Sequence, residues 1–131
     1  MLDDFTLIQS KFEDSKGITI YPLGDVHLGS KECDVELFKA WIEMVKNDPN
    51  AYVGIVGDIM NMGLKNSKSN VYEEVLSPME QKELCYELLE PIADKIIAGC
   101  SGNHEYRANK EVGCNPLYDV FCRLRIEDRY R

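Results

Sequence analysis

The stretch AYVGIVGD, residues 51–58, is a continuous apolar run that ends in a glycine and an aspartate. Its length, with no alternation of apolar and polar residues, is typical of a strand buried on both faces of a parallel sheet. GITIYPLG (17–24) and IIAGC (96–100) are short apolar runs of the same kind. The sequence therefore predicts three strands, each covered on both of its faces.

Helical patterns separate these strands. Residues 33–49 show an apolar face at helical spacing, formed by Val35, Phe38, Trp41, Ile42 and Val45. Residues 77–95 begin with Ser-Pro and predict a second helix, which Pro91 is expected to kink or end. Residues 115–126 predict a third helix. The order β-α-β-α-β-α predicts an α/β fold with a mostly parallel sheet flanked by helices.

Composition narrows the class of protein. A chain of 131 residues fits one domain, and its net charge of −8 argues against broad electrostatic adhesion to nucleic acid or membranes. No apolar run approaches the ~20 residues of a membrane span. The amino-terminal stretch MLDDFTLIQSKFEDSKG is acidic and polar, unlike a signal peptide, so we expect a cytoplasmic protein.

The five cysteines are an odd number and form no CxxC pair. This pattern argues against a secreted disulfide framework and against a zinc ribbon. We expect reduced thiols that mostly serve packing.

Each predicted strand runs into a polar cluster. The clusters are GDVH at 24–27, GDIMN at 57–61 and GNHE at 102–105. The carboxyl ends of parallel strands share one edge of a sheet, and ligand sites of open α/β folds form there. Three stretches that are distant in sequence are therefore expected to converge.

The residue types in these clusters suit a cation. Carboxylate, imidazole and amide groups together favour Mn, Fe, Zn or Ni over Ca, and the lack of a thiolate disfavours a structural zinc site. Asp25 and His27 are two apart, so on an extended segment both side chains face the same way. A single GD or DxH after a strand is usually only a turn, but the coincidence of three clusters predicts a metal site.

With these clusters in this order, the sequence resembles the calcineurin-like metallophosphoesterases from about residue 17 to its last residue. The family motifs D-x-H, GD-x-x-[DN] and GNH-[ED] stand here as GDVH, GDIMN and GNHE. GDIMNMGLKNSKSNVYEE and GNHEYR also look like phage-type, DNA repair exonuclease-like members. The resemblance implies the amino-terminal part of a four-layer metallophosphoesterase sandwich.

The resemblance also implies a role for each motif residue. Asp25 and His27 would bind a first metal, Asp58 would bridge two metals, and Asn103 would bind the second. His104 would act near the leaving group as general acid or as a stabiliser of developing charge. The implied activity is hydrolysis of a phosphomonoester or a phosphodiester, with DNA or a nucleotide among the substrates.

Two departures from the family pattern matter. Asn61 stands where many relatives carry a second Asp, and an uncharged amide there implies that His104 is a weaker acid. After His104 the chain has no histidine, so the family's lone His and its G-H-x-H are absent. We therefore expect residues 1–131 to be a truncated domain with an unpaired sheet edge. It would keep one metal of two, or complete its site with a second chain or a further segment.

Other features leave alternatives open. Arg107 could reach a substrate phosphate or be a solvated surface residue. The polar segment 64–74 predicts a loop, and its Asn66, Ser67, Ser69 and Asn70 either lie beside the site or only connect elements. The competing functions are a dinuclear phosphoesterase and a catalytically incomplete metal-binding or assembly module. A nucleotide-binding domain is disfavoured because neither GxGxxG nor GxxxxGK[ST] occurs.

Overall fold

A computed structural model describes residues 7–13, 17–63 and 74–131. Within these ranges one parallel sheet has the strand order β1-β2-β3. Its strands are β1 (Thr19–Gly24), β2 (Ala51–Gly57) and β3 (Ile96–Gly99). The fold class is α/β with a parallel sheet flanked by helices, as the sequence predicts.

The helices are α1 (Val35–Asn47), α2 (Pro78–Leu89), α3 (Asn103–Val112) and α4 (Pro116–Arg123), with short 3-10 turns at Glu90–Lys95 and Glu127–Arg129. The side chain of Asp34 caps α1 by accepting a hydrogen bond from the N–H of Leu37 at 2.9 Å. Ser77 and Glu80 form a reciprocal capping box at the start of α2. Pro91 lies in the first of the 3-10 turns, so the α-helix ends where the sequence predicts a kink or an end.

Helix α3 is not predicted from the apolar pattern, although it follows β3 almost directly. Its buried residues are only Glu105 and Ala108, so the stretch lacks an apolar stripe at helical spacing. The helix ends at Gly113, which adopts a left-handed conformation with φ of 67°. Its polar start carries the GNHE cluster, which therefore lies on the first turn of a helix.

The predicted loop at residues 64–74 falls almost entirely outside the described residues. Asn66, Ser67, Ser69 and Asn70 all lie there, and only the last residue of the segment, Glu74, is described.

The core lies on one face of the sheet. On this face Val53 is 0% and Ile55 is 2% exposed, and both belong to one apolar cluster with Ile42 of α1 and Leu89 of α2. On the opposite face Val56 is 58% and Ile20 is 50% exposed. The prediction that each strand is covered on both faces is wrong for the described part of the chain. Alternate residues of a strand point to opposite sides, and the helical core residues meet only one of them.

Among the described residues, the open face, defined by Ile20, Pro22, Gly54 and Val56, is covered beside Tyr52, near the start of β2. There the ring of Phe12 packs edge-on against Tyr52, with 4.5 Å between ring centroids. A Cβ added to Gly54 would meet no atom within 4 Å. Solvent therefore reaches much of the apolar surface of this face.

The two edges of the sheet differ. β1 pairs with β2 alone in the described ranges, so it is an edge strand of the sheet there. The outer side of β3 is met by the carboxyl-terminal residues, because Gly99 and Tyr130 form a parallel bridge. The N–H of Arg131 also donates to the carbonyl of Gly99 at 2.8 Å.

All five cysteines are free thiols. Cys85 is buried, Cys33 and Cys114 are half-buried, and Cys100 and Cys122 are exposed, so packing accounts for only part of the set. Burial and the nearby Glu105 carboxylate raise the pKa of the Cys85 thiol far above its ordinary value. Across the described ranges, no helix combines the length and the apolar character that a bilayer crossing needs.

Candidate metal centre at the ends of the strands

The segments that follow β1 and β2 continue side by side beyond the sheet. The N–H of His27 donates to the carbonyl of Asp58 at 3.0 Å, and the N–H of Leu28 donates to the carbonyl of Ile59 at 2.8 Å. The turn after β3 joins them, because the N–H of His104 donates to Oδ1 of Asp58 at 2.8 Å. The three polar clusters therefore meet at the carboxyl edge of the sheet.

Three of the predicted metal ligands have an unusual backbone conformation. Asp25, His27 and Asp58 have φ values of 53°, 54° and 55°. Residues other than glycine rarely adopt this left-handed region, although Asp and His tolerate it better than most. Such strain typically persists where function or the surrounding structure requires it.

Two glycines allow the strand ends to approach this closely. Gly57 has φ of 99°, and a Cβ on it would collide with the backbone of Gly102. A Cβ on Gly102 would in turn collide with the carboxylate of Asp58. The glycines of the GD and GN pairs thus let the turns after β2 and β3 pack backbone against backbone.

The central group of the site consists of His27, Asp58 and His104. One ligand atom from each lies within 4.8 Å of the others, and all three residues are half-buried. The two imidazole rings are 4.5 Å apart between centroids, at an interplanar angle of 70°. Nδ1 of His27 is buried and has no hydrogen-bond partner among the described residues. We call these three residues the His-Asp-His group.

Two other predicted ligands lie further out. Asp25 has a side chain that is 84% exposed, with its Oδ1 3.4 Å from Nε2 of His27. It therefore lies at the rim of the His-Asp-His group. Asn103 is the first residue of α3 and is exposed, and it is not among the residues lining the adjoining cavity. The structure thus brings together His27, Asp58 and His104, with Asp25 beside them. Asn103 lies exposed on the first turn of α3, and its role as a ligand stays a prediction.

A cavity of about 380 Å³ adjoins the group. His27 and His104 line it, and its charged lining residues are Asp25, Glu32, Glu74 and Lys31. Three carboxylates against one ammonium group give this space a negative potential. A phosphate would be repelled from it unless a cation entered as well.

Glu105 is a buried residue to which the motifs alone assign no role. Its carboxylate is 0% exposed and accepts hydrogen bonds from three backbone N–H groups. Oε2 accepts from Asp58 and from Gly102, both at 2.9 Å. Oε1 accepts from Met60 at 2.9 Å. Glu105 thereby ties the turn after β2 to the start of α3, and its position three residues after Gly102 is the spacing of a capping box.

His104 contacts Asn61 through the backbone. Its Nδ1 lies 2.7 Å from the carbonyl oxygen of Asn61. The side chain of Asn61 points elsewhere and donates from Nδ2 to Oε1 of Glu74 at 2.6 Å. The described contacts of the Asn61 side chain therefore do not include His104, and the expectation that an uncharged residue at position 61 makes His104 a weaker acid stays a prediction. Since a carbonyl only accepts, this contact favours the tautomer of His104 with its proton on Nδ1, which leaves Nε2 for the cavity.

Arg107 does not line the cavity. It is half-buried, and its Nη1 donates to the carbonyl of Met62 at 3.5 Å. Among the residues that line the cavity, the one lysine or arginine is Lys31, which is exposed.

Cys33 also lines the cavity, so its thiol is the one to consider as a metal ligand. Burial raises the pKa of its thiol, and the carboxylate of Asp34 raises it further. Metals bind the thiolate, so this shift disfavours Cys33 as a ligand near neutral pH.

Comparison with known proteins gives no family assignment: no family model, no curated protein and no solved structure matches the chain.

Proposed function

We propose that this chain is a divalent-metal-dependent phosphoester hydrolase of the calcineurin-like kind. The observation that carries the proposal is the His-Asp-His group, whose ligand atoms lie within 4.8 Å of one another at the carboxyl edge of a parallel sheet. The left-handed backbone at His27 and Asp58 adds support, because strain of this kind is concentrated at functional sites.

The residues at the site fit a cation. Nδ1 of His27 is a buried nitrogen without a partner in the described ranges, and a buried polar atom of this kind is costly. Imidazole nitrogen together with carboxylate oxygen suits Mn, Fe, Zn or Ni. His27 and Asp58 would hold the ion, and Asp25 or His104 would supply a further atom. The negative potential of the cavity also favours the entry of a cation before that of the substrate.

A bound divalent ion would supply a water of lowered pKa and a charge to offset that of the phosphate. The chain itself contributes position and proton control. The N–H of His104 donates a hydrogen bond to the carboxylate of Asp58 and thereby orients it. The carboxylate of Glu105 accepts a hydrogen bond from the N–H of Asp58. Nε2 of His104, which faces the cavity when Nδ1 is bonded to Asn61, is the atom suited to hold or move a proton at the leaving oxygen.

The proposed substrate is a phosphomonoester or a phosphodiester, with DNA and nucleotides included. Because the net charge of the chain is −8, a nucleic acid would be held locally at the metal and not over a basic surface. The five free thiols suit a reducing compartment, and we expect the protein to act in the cytoplasm.

A second candidate function is a catalytically incomplete metal-binding or assembly module. The exposed position of Asn103 favours it, because the family's second metal would depend on that residue. In this case one ion binds at the His-Asp-His group, and the site either remains inactive or is completed by a second chain.

Calorimetric titration with Mn²⁺ and turnover of bis-p-nitrophenyl phosphate together test both functions. We expect the wild type to bind Mn²⁺, and Asp58→Asn to weaken binding by at least about tenfold, since it removes the charge of a direct ligand. Asp128→Asn is the matched control, because Asp128 is exposed and lies outside the cavity lining.

The outcomes separate the candidates. Turnover by the wild type and by Asp128→Asn, but not by Asp58→Asn, supports the hydrolase. One Mn²⁺ per chain without turnover above that of Asp58→Asn supports the module. A wild-type chain that binds neither Mn²⁺ nor Zn²⁺ more tightly than Asp58→Asn does would end both proposals.

A further inference from the structure

Gln81 of α2 is a buried polar residue beside the site, with an exposure of 0%. Its Nε2 donates to Oε2 of Glu74 at 3.0 Å and to the carbonyl of Leu76 at 2.9 Å. Its Oε1 accepts from the N–H of Met62 at 2.9 Å. Both amide hydrogens and the amide oxygen are therefore used, which fixes the orientation of the Gln81 amide.

The Met62 N–H belongs to the same peptide group as the carbonyl of Asn61. This group is planar and trans, so its N–H and its C=O point in opposite directions. Gln81 binds the N–H end at 2.9 Å, and Nδ1 of His104 lies 2.7 Å from the oxygen end. A single rigid peptide thus connects a buried amide of α2 with the imidazole of the site.

Glu74 forms hydrogen bonds both to this turn and to Gln81. Its Oε1 accepts from Nδ2 of Asn61 at 2.6 Å and from the N–H of Gly63 at 2.8 Å. Its Oε2 orients the Gln81 amide. We call the pair the Gln81–Glu74 clamp. It holds a turn that has a strained residue at its centre, because Met62 has φ of 47°.

We propose that the Gln81–Glu74 clamp positions the Asn61–Met62 peptide and thereby keeps His104 in the tautomer that carries its proton on Nδ1. The clamp leaves Nε2 of His104 for the cavity. Its value for hydrolysis rests on the proposed function, but the tautomer is a property of the metal-free chain and can be measured without any activity.

Long-range ¹H–¹⁵N NMR of the imidazole rings tests the proposal on the metal-free full chain. The spectrum contains two rings, because the chain has two histidines, and His27 serves as an internal reference for changes of the whole site. The spectra are recorded at about pH 8.5, two units above the ordinary histidine pKa, so that the shifts report the tautomer. We expect wild-type His104 to be protonated on Nδ1.

Two variants release the clamp. Gln81→Leu removes the acceptor of the Met62 N–H. Glu74→Gln replaces one of the two acceptor oxygens of Glu74 by an amide donor. Each should move the tautomer ratio of His104 toward Nε2–H by about fivefold, the factor that the loss of one ordinary hydrogen bond gives. Glu87→Gln is the matched control, since Glu87 is exposed on α2 and the change of charge is the same.

Glu74 is only half-buried, so Glu74→Gln gives a result even if Gln81→Leu does not fold. Wild-type His104 protonated on Nε2 would overturn the proposal, and so would a folded clamp variant with an unchanged His104 ratio. An equal change at His27 would also overturn it, because the described hydrogen bonds of the clamp do not include that ring. A chain that binds no metal but shows the expected tautomer shift would refute the proposed function and leave this inference intact.

Discussion

Asp25 is the strained residue at which function and stability are most easily separated. Its φ is 53° and its side chain is 84% exposed, so it has little packing to lose. A left-handed conformation costs an L-residue about 1–2 kcal/mol, whereas glycine adopts it freely. The chain therefore keeps an aspartate where glycine would fold at least as well, which is expected of a residue retained for its carboxylate.

We predict that Asp25→Gly raises the free energy of unfolding by about 0.5 kcal/mol, the relief of strain less the greater entropy of an unfolded glycine. The same change should weaken Mn²⁺ binding. Asp128→Gly is the control, because Asp128 is exposed and has no positive φ. It should lower stability by about 0.5–1 kcal/mol. Denaturant unfolding measures both variants, and a destabilised Asp25→Gly would contradict the role assigned to strain.

Glu105 should matter for the stability of the site region. Glu105→Gln replaces one acceptor oxygen by a donor that faces the N–H groups of Asp58, Gly102 or Met60. We predict a loss of about 1–3 kcal/mol in the free energy of unfolding, the usual result of a buried unsatisfied pair. Glu111→Gln, at an exposed position on the same helix, should change it by less than about 0.5 kcal/mol. Equal effects of the two variants would show that the buried carboxylate is not needed.

The sequence predicts the ligand types of the site better than their contacts. Asp25, His27 and Asp58 could be named because each directly follows a strand that is recognisable by its apolar run. The contact between His104 and Asn61 could not, because it is made by a backbone carbonyl that any residue would present. The anchoring role of Glu105 is visible only as a capping-box spacing, and a helix had first to be recognised there.

Elements that bury apolar residues were predictable, and α3 was not. α1 and α4 bury apolar residues at helical spacing, whereas α3 buries one alanine and one glutamate. The start of α3 is stabilised by the hydrogen bond from the N–H of Gly102 to the carboxylate of Glu105, and not by burial of an apolar stripe. Sequence periodicity therefore fails at the helix that carries the site.

For α3 the sequence pattern fails to predict a helix, whereas for the faces of the sheet it predicts more burial than the structure has. A run such as AYVGIVG is apolar throughout, so its pattern cannot say which side is buried. In the structure Val53 is 0% and Val56 is 58% exposed on the same strand. The apolar character of the run therefore overestimates burial on the open face.

These two valines of β2 provide a matched test. We predict that Val53→Thr lowers the free energy of unfolding by about 1–3 kcal/mol, because it buries a hydroxyl in the core. Val56→Thr should change it by less than about 0.5 kcal/mol, because its side chain already meets solvent. Denaturant unfolding at several protein concentrations measures both. A comparable, concentration-dependent loss for Val56→Thr would mean that another chain covers the open face in solution.

The net negative charge of the chain favours cation binding anywhere on the surface, so binding alone does not identify a specific site. With 23 acidic residues against 15 lysines and arginines, any divalent ion is weakly attracted to the surface. A specific site must therefore be distinguished from general screening of like charges. The distinction is possible because the His-Asp-His group contains imidazole nitrogens, which general screening by surface carboxylates does not require.

Thermal unfolding with and without metal makes this distinction. A ligand that binds only the folded state at 100 times its Kd adds about 2.7 kcal/mol, which raises the Tm of a chain of this size by about 10 °C. We predict that Mn²⁺ or Zn²⁺ gives a rise of this order and that a chelator reverses it. Ca²⁺ should give much less, because it takes oxygen ligands in larger numbers.

Variants then separate the site from the surface. Asp58→Asn should lose most of the Mn²⁺-dependent rise, since it removes a carboxylate of the His-Asp-His group, whereas the exposed Asp128→Asn should keep it. Both variants change the net charge equally, so screening alone would treat them alike. An equal rise in the two variants, or an equal rise with Ca²⁺ and Mn²⁺, would mean that the acidic surface and not the strand ends binds the ion. The unequal result would show that convergence of the strand ends produces a selective site in a chain whose overall charge attracts any cation.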